Sequence, residues 1–263
     1  MTAQIHLLTR ATRALFTAPA AHPGWTVVED DELLTAFAPS GSPLLNYVLR
    51  AEPAGDPAAL VARTLAMAGP RGLVWKVAPT DRGAEGVARA LLDRGLVELP
   101  SSTPIWGPIP EDVETIVATL QPATDVRDGS AYRRWCVPFA RAFHVPEADV
   151  ELLVEAAVAR GFADDDPIQH VLVERDGEPV ACGTLVVDPS GLAGAFNVAV
   201  DPQHRREGLG TAVLGALALR ARRAGCTEIG QFSTPEGMPL YDPHGRAHPS
   251  ALRNFLWMGG NHG

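Results

Sequence analysis

The chain has 263 residues, 46% of them hydrophobic and 20% charged, the composition of a folded globular protein with room for one large domain or two ordinary ones. Its formal net charge of -9 argues against a general nucleic-acid binder, which needs a footprint of Lys and Arg. No apolar run approaches the roughly 18–20 residues of a membrane span, and Cys136, Cys182 and Cys226 lack zinc-ligand spacing, so they read as small buried hydrophobes of a cytoplasmic protein without a metal site.

The opening stretch MTAQIHLLTRATRALFTAPAA has its apolar residues broken by Arg10 and Arg13, which marks an amphipathic first element and no targeting segment. PLLNYVLR (43–50) then reads as a strand, 56–69 as a helix, 72–79 as a buried strand and 84–94 as a second helix, with a further strand opening at STPIW. The Pro- and Ser-containing stretch from Pro100 to Pro122 reads as a boundary region. Helical spacing returns at 150–160. HVLVE (170–174) and PVACGTLVV (179–187) are strands joined by a tight turn carrying Asp-Gly, and LAGAFNVAV (192–200) is a third, completing an antiparallel meander. A helix from about Thr211 to Ala224 carries an apolar stripe, a basic last turn and Gly225 as its terminator. A strand at 227–232, a short helix between Pro235 and Gly245, and a last strand at 251–257 complete a mixed α/β fold with a largely antiparallel sheet flanked by helices. The first half repeats the end of this order, which points to two tandem halves, 1–110 and 123–263.

The segment that carries chemistry is VAVDPQHRREGLGTAVLGALALRARRAG (198–225). A strand enters a loop bearing Arg205, Arg206, Gly208 and Gly210, and the loop opens directly into a helix. Unpaired N–H groups and the positive end of the helix dipole make such a terminus an anion site. Glycines let a phosphate approach the backbone, and the arginines suit a diphosphate. The glycines follow R-x-x-G-x-G behind an antiparallel meander, so neither a dinucleotide-binding G-x-G-x-x-G in a parallel unit nor a Gly-Lys-Ser/Thr phosphate loop fits.

This stretch resembles the signature of the GNAT superfamily of acyl-CoA N-acyltransferases: a strand, V-x-P, R-x-x-G-x-G, then a helix, seen here as Val200, Pro202, Arg205, Gly208 and Gly210. Tyr241 followed by Gly245 matches a downstream family pattern of Tyr and, four residues on, Gly-Phe, although Arg246 stands in place of the Phe. The resemblance covers about 130 residues, and the first half is similar to the degenerate repeat of tandem GNAT proteins, with Leu91 at the place of Tyr241. It implies acetyl-CoA as co-substrate and an amine as acceptor. The N–H groups of Arg205, Arg206, Glu207, Gly208, Leu209, Gly210 and Thr211 would hold the pyrophosphate, and Val198, Ala199 and Val200 would pair with the pantetheine amides. The thioester would sit near Asn197 and Val198, polarised by a main-chain N–H, and Tyr241 would protonate the leaving thiolate. Many members carry a glutamate where Asn197 stands, so no general base is readable. An inactive CoA-binding sensor and a transferase of longer acyl groups are the alternatives. Acidic runs at Glu147–Glu151 and Asp164–Asp166 and the histidines 144, 170, 244 and 248 read as surface or structural residues.

Overall fold

The computed structural model describes residues 2–241 and 245–260. The expected amphipathic first element is helix α1 (Thr2–Thr17), which buries Ile5, Leu8, Ala11 and Leu15 along one face. A short strand pair follows, β1 (Thr26–Glu29) and β2 (Leu33–Phe37), then β3 (Tyr47–Ala51), α2 (Pro57–Ala68), β4 (Leu73–Val77), α3 (Ala84–Asp93) and β5 (Val97–Pro108). The strand expected over 43–50 is shorter: Pro43–Leu45 forms a 3₁₀ turn, because Pro43 presets its start and the Ser42 hydroxyl accepts from the Leu44 N–H at 3.3 Å.

The expected boundary region is largely ordered structure. β5 runs through Pro100, Pro104 and Pro108, and helix α4 (Val113–Ala118) follows it. Prolines are tolerated there because only Ile105 and Trp106 of β5 pair with strands on both sides, leaving each proline a flank without a strand partner. Next come β6 (Ala123–Asp125), α5 (Gly129–Phe143), α6 (Glu147–Arg160), β7 (Ile168–Arg175), β8 (Glu178–Val187) and β9 (Leu192–Val200). Asp176 and Gly177 are both left-handed, as a two-residue hairpin between β7 and β8 requires. α7 (Leu209–Arg223), β10 (Glu228–Ser233), α8 (Met238–Tyr241), β11 (Arg246–Ala247) and β12 (Leu252–Trp257) complete the order. Gly225 is left-handed just past α7, as expected. Of the helix expected between Pro235 and Gly245, Met238–Tyr241 is helical; residues 242–244, with Pro243 and His244, lie outside the described residues.

The strands form one sheet in the order β1-β2-β3-β4-β12-β5-β10-β9-β8-β7-β6, with β11 against β5. It is antiparallel apart from two parallel neighbours, β3/β4 and β9/β10, which stand at matching places in the two halves. β12, from the C-terminus, lies between β4 and β5. α2 and α3 cover a core around Trp75 and Phe255. α7 packs on β7–β9 through Leu209, Val213 and Leu217, and α5 packs on the other face through Trp135, whose indole N–H donates to the Gly183 carbonyl at 3.0 Å. Gly183 is needed where α7 crosses β8: a Cβ there would lie 2.5 Å from Val213 Cγ1. The three cysteines are buried and free.

Candidate functional site

β9 is paired with β8 along its length, with β10 only from Leu192 to Gly194. Past Gly194 and Gly230 the two parallel strands share no further pairs, so Ala195–Val200 presents an edge toward a gap. Asn197 has φ +51, and the register against β8 slips between Cys182↔Ala199 and Thr184↔Phe196: β9 carries a bulge at Asn197–Val198, facing Gly183. A bulge of this kind re-aims the adjoining peptide groups and frees them from the ladder. Asn197 and Val198 are half-buried, so the gap reaches both.

The end of β9 is pinned. The Asp201 N–H donates to the Val180 carbonyl at 2.9 Å, and its carbonyl accepts from His204 N–H at 2.8 Å. Its carboxylate, 3% exposed, accepts from the Gln203 N–H at 3.0 Å and from Arg141 at 2.6 Å. Burial alone would raise its pKa; the Gln203 N–H and Arg141 outweigh burial and hold it below the ordinary carboxylate range. Glu207 is likewise held low by Arg175, with which it pairs. Both acids are therefore occupied as structural anions and are poor proton acceptors.

From this anchor the loop climbs into α7. Arg206 (φ +66) and Gly208 (φ +79) are both left-handed, a backbone that coils tightly and gathers N–H groups into an anion-binding concavity. The first helical bond of α7 runs from the Ala212 N–H to the Gly208 carbonyl, so the N–H groups of Leu209, Gly210 and Thr211 precede it. Arg205 and Arg206 are exposed, and among the described residues neither pairs with a carboxylate. The two glycines differ in what they do. A Cβ on Gly208 would meet open space, whereas one on Gly210 would lie 3.1 Å from Leu240, so Gly210 lets α8 pack onto α7.

That packing brings Tyr241 beside the start of α7. It lines a cavity of about 330 Å³ together with Thr211 and Gln231. The cavity walls are α4, α7, β5 and β10, and Asn197 does not line it. Tyr241 is half-buried, and burial pushes its pKa up to about 12, so the phenol holds its proton at neutral pH. Among the described residues its hydroxyl has no hydrogen-bond partner. The structure thus joins Asn197–Val200, Arg205–Thr211 and the pinned loop in one continuous run, and sets Tyr241 against the helix that this run begins.

Gln231 and the cavity itself gave no signal in sequence, since an apolar lining drawn from four elements looks like core. Arg246 is exposed in β11, paired with Trp106 of β5. His170 is buried with Nδ1 2.9 Å from the Thr184 hydroxyl, and His144 is the left-handed cap of α5. Of the acidic runs, Asp149 is 4% exposed and accepts from the Ser40 hydroxyl at 2.8 Å, a structural role instead of a surface one. Among the described residues no cluster of His, Cys, Asp or Glu could hold a metal, and no helix is long and apolar enough to cross a membrane.

Residues 131–241 match the acetyltransferase (GNAT) family model. The mycothiol acetyltransferase of Kineococcus radiotolerans is 31% identical over 122 residues, 46% of this chain, and the match spans only about a third (34%) of that relative's length. A GCN5-related N-acetyltransferase from Kribbella flavida shares the fold over 97% of this chain and 96% of its own, with a TM-score of 0.61 at 21% identity. A tandem GNAT protein from the clavulanic acid biosynthesis pathway does so over 97% and 96%, with a TM-score of 0.53 at 15% identity. The fold is thus shared along nearly the whole chain, and the match to the acetyltransferase (GNAT) family model falls on the half that holds the opened strand pair and the loop.

Proposed function

We propose that the chain transfers an acetyl group from acetyl-CoA to a primary amine by direct attack in a ternary complex. The observation that carries this reading is the parallel pair β9/β10, open past Gly194 and Gly230 and leading into a helix whose first N–H groups are unpaired. The pyrophosphate would rest on the N–H groups from Arg205 to Thr211, with Arg205 and Arg206 adding charge. The pantetheine amides would pair with the free edge at Val198–Val200 as an added strand. The Val198 N–H, released from the ladder by the bulge, would stabilise the oxyanion formed as the amine attacks the thioester carbon. The C–S bond then breaks, and Tyr241 would hand its proton to the departing thiolate. With Asp201 and Glu207 engaged in ion pairs, the amine would arrive neutral or lose its proton to water.

The first half would not bind a second CoA. Its helix α2 stands where α7 stands, yet Pro57 supplies no N–H and the Asp56 carboxylate already accepts from Ala58 N–H at 3.0 Å. The fully buried Asn46 ties down the paired end of β3 and β4, its amide bonding to Ala38, Ser40, Ser42 and Gly72. The two halves, 1–110 and 123–263, are on this reading a silent and an active repeat. Buried free thiols suit the cytoplasm.

Titration calorimetry with acetyl-CoA tests the reading: one site per chain is expected, and Gly208→Glu should abolish binding by steric block and repulsion. Two sites would show that the first half binds, and no binding at millimolar ligand would remove the donor. A second reading, a CoA-binding protein without turnover, is favoured by the amide at Asn197, and saturable binding without transfer to any amine would establish it.

A further inference from the structure

The cavity beside Tyr241 has a polar end and an apolar body. Thr211, on the first turn of α7, Gln231, just past the last β9-paired residue of β10, and Tyr241 give it hydroxyls and an amide at the end nearest the proposed CoA site. Away from that end it is walled by Leu214 and Ala218 of α7 and by Val113 and Ile116 of α4. Among the described residues no charged side chain lines it. Its volume, about 330 Å³, is that of an ordinary small-molecule site, and it lies on the sheet face opposite α1, since Gly230, the neighbour of Ile229 and Gln231, faces Leu8.

We infer that this cavity is an acyl-chain pocket, and that the chain accepts as donor an acyl-CoA whose linear aliphatic group is several methylenes longer than acetyl. The inference rests on the CoA-donor reading above and extends its donor from acetyl-CoA to longer acyl-CoA. A nucleotide or a sugar would need several hydrogen-bonding partners along the body, where the walls offer aliphatic surface. An aliphatic chain needs none, and it gains from the removal of each methylene from water. The choice of the donor's acyl group over an apolar acceptor follows from continuity. The cavity shares Tyr241 with the proposed thiolate site, so an acyl chain leaving the thioester beside Tyr241 would enter it directly. α4, from the segment between the two halves, supplies the outer wall, which gives that segment a part in donor choice.

The test is a binding series with CoA, acetyl-CoA, butyryl-CoA and octanoyl-CoA, measured by calorimetry on the full chain. Octanoyl-CoA should bind at least about thirtyfold more tightly than acetyl-CoA, well below the roughly fourfold per methylene that complete burial supplies. Ala218→Phe, which puts a ring into the body of the cavity, should bring that ratio to within about threefold and leave CoA and acetyl-CoA binding unchanged. Ile116→Trp, from the more exposed α4 wall, should do the same and serves if the first variant does not fold. Affinity independent of chain length in the wild type, with CoA itself binding, would overturn the pocket alone. An equal loss of acetyl- and octanoyl-CoA binding in a folded variant would also overturn it. If neither CoA nor any acyl-CoA binds, the donor reading falls, and the pocket inference falls with it.

Discussion

Asn197 occupies a backbone conformation that only glycine adopts freely and that asparagine tolerates, at the point where β9 bulges away from β8. On the proposed reading the conformation sets which main-chain N–H groups are left for the donor, so the residue would act through its φ and ψ. Asn197→Gly should keep the bulge and retain turnover within about threefold. Asn197→Val should be strained by about 1–2 kcal/mol and lose turnover and CoA affinity together, as steady-state kinetics and calorimetry would reveal. Equal activity in both variants would sink the role of the bulge. Tyr241 belongs to the same scale with a different signature. A phenol whose pKa lies near 12 keeps its proton throughout the neutral range, so the proton is in place when the C–S bond breaks. Tyr241→Phe should therefore lower turnover about a hundredfold, within the usual range for a general acid, with CoA affinity unchanged.

At the scale of elements, α5 and the strands beneath it carry a titratable core. His170 of β7 lies within 5.2 Å, ring to ring, of both Tyr132 and Trp135 and bonds Thr184 of β8. Burial first, and Arg160 second, push its pKa down to about 3. A group depressed in this way is neutral in the fold and charges first in the unfolded chain. Its contribution is whole above about pH 6.5 and is lost as pH falls toward 3. Asp81 works in the opposite sense: burial outweighs Arg13 and raises it to about 6, so acid favours the fold at that site. Comparing wild type with His170→Gln separates the two, because Asp81 is common to both. The variant should melt lower at pH 7 and lose less on going from pH 6.5 to 4, in thermal scans at fixed ionic strength. α5 also marks a limit of sequence reading. Pro138 sits inside it and masks its period, and it did not stand among the expected elements. α7 and its loop were legible because their constraints are local: a glycine that must be left-handed, a stripe at helical spacing, a basic last turn. The free edge at Val198–Val200 was legible only through family resemblance, since a gap is a relation between strands far apart in the chain. The cavity was hidden because its residues, such as Ile105, Val113 and Leu214, are individually ordinary core.

For the whole molecule the decisive feature is the exchange of strands between halves. β12 is hydrogen-bonded on one side to β4 and on the other to the first part of β5, while the second part of β5 closes the sheet against β10. Each half therefore buries one of its sheet edges with a strand from the other. α1 adds side-chain ties in both directions, through Arg10 to Asp188 at 2.9 Å and through Arg13 to Asp81 at 2.8 Å. Tandem repeats joined only by a linker would melt separately; repeats that complete each other's sheets cannot. Calorimetry of the full chain should show a single transition with equal calorimetric and van't Hoff enthalpies. Residues 123–263 expressed alone should lack a cooperative transition, because β12 loses both neighbours and β10 loses β5. Mixing that fragment with residues 1–122 should restore near-UV dichroism and acyl-CoA binding together. Two resolved transitions, or a 123–263 fragment that folds and binds acetyl-CoA unaided, would mean that the strand exchange adds stability without being required, and that residues 123–263 are a self-sufficient domain.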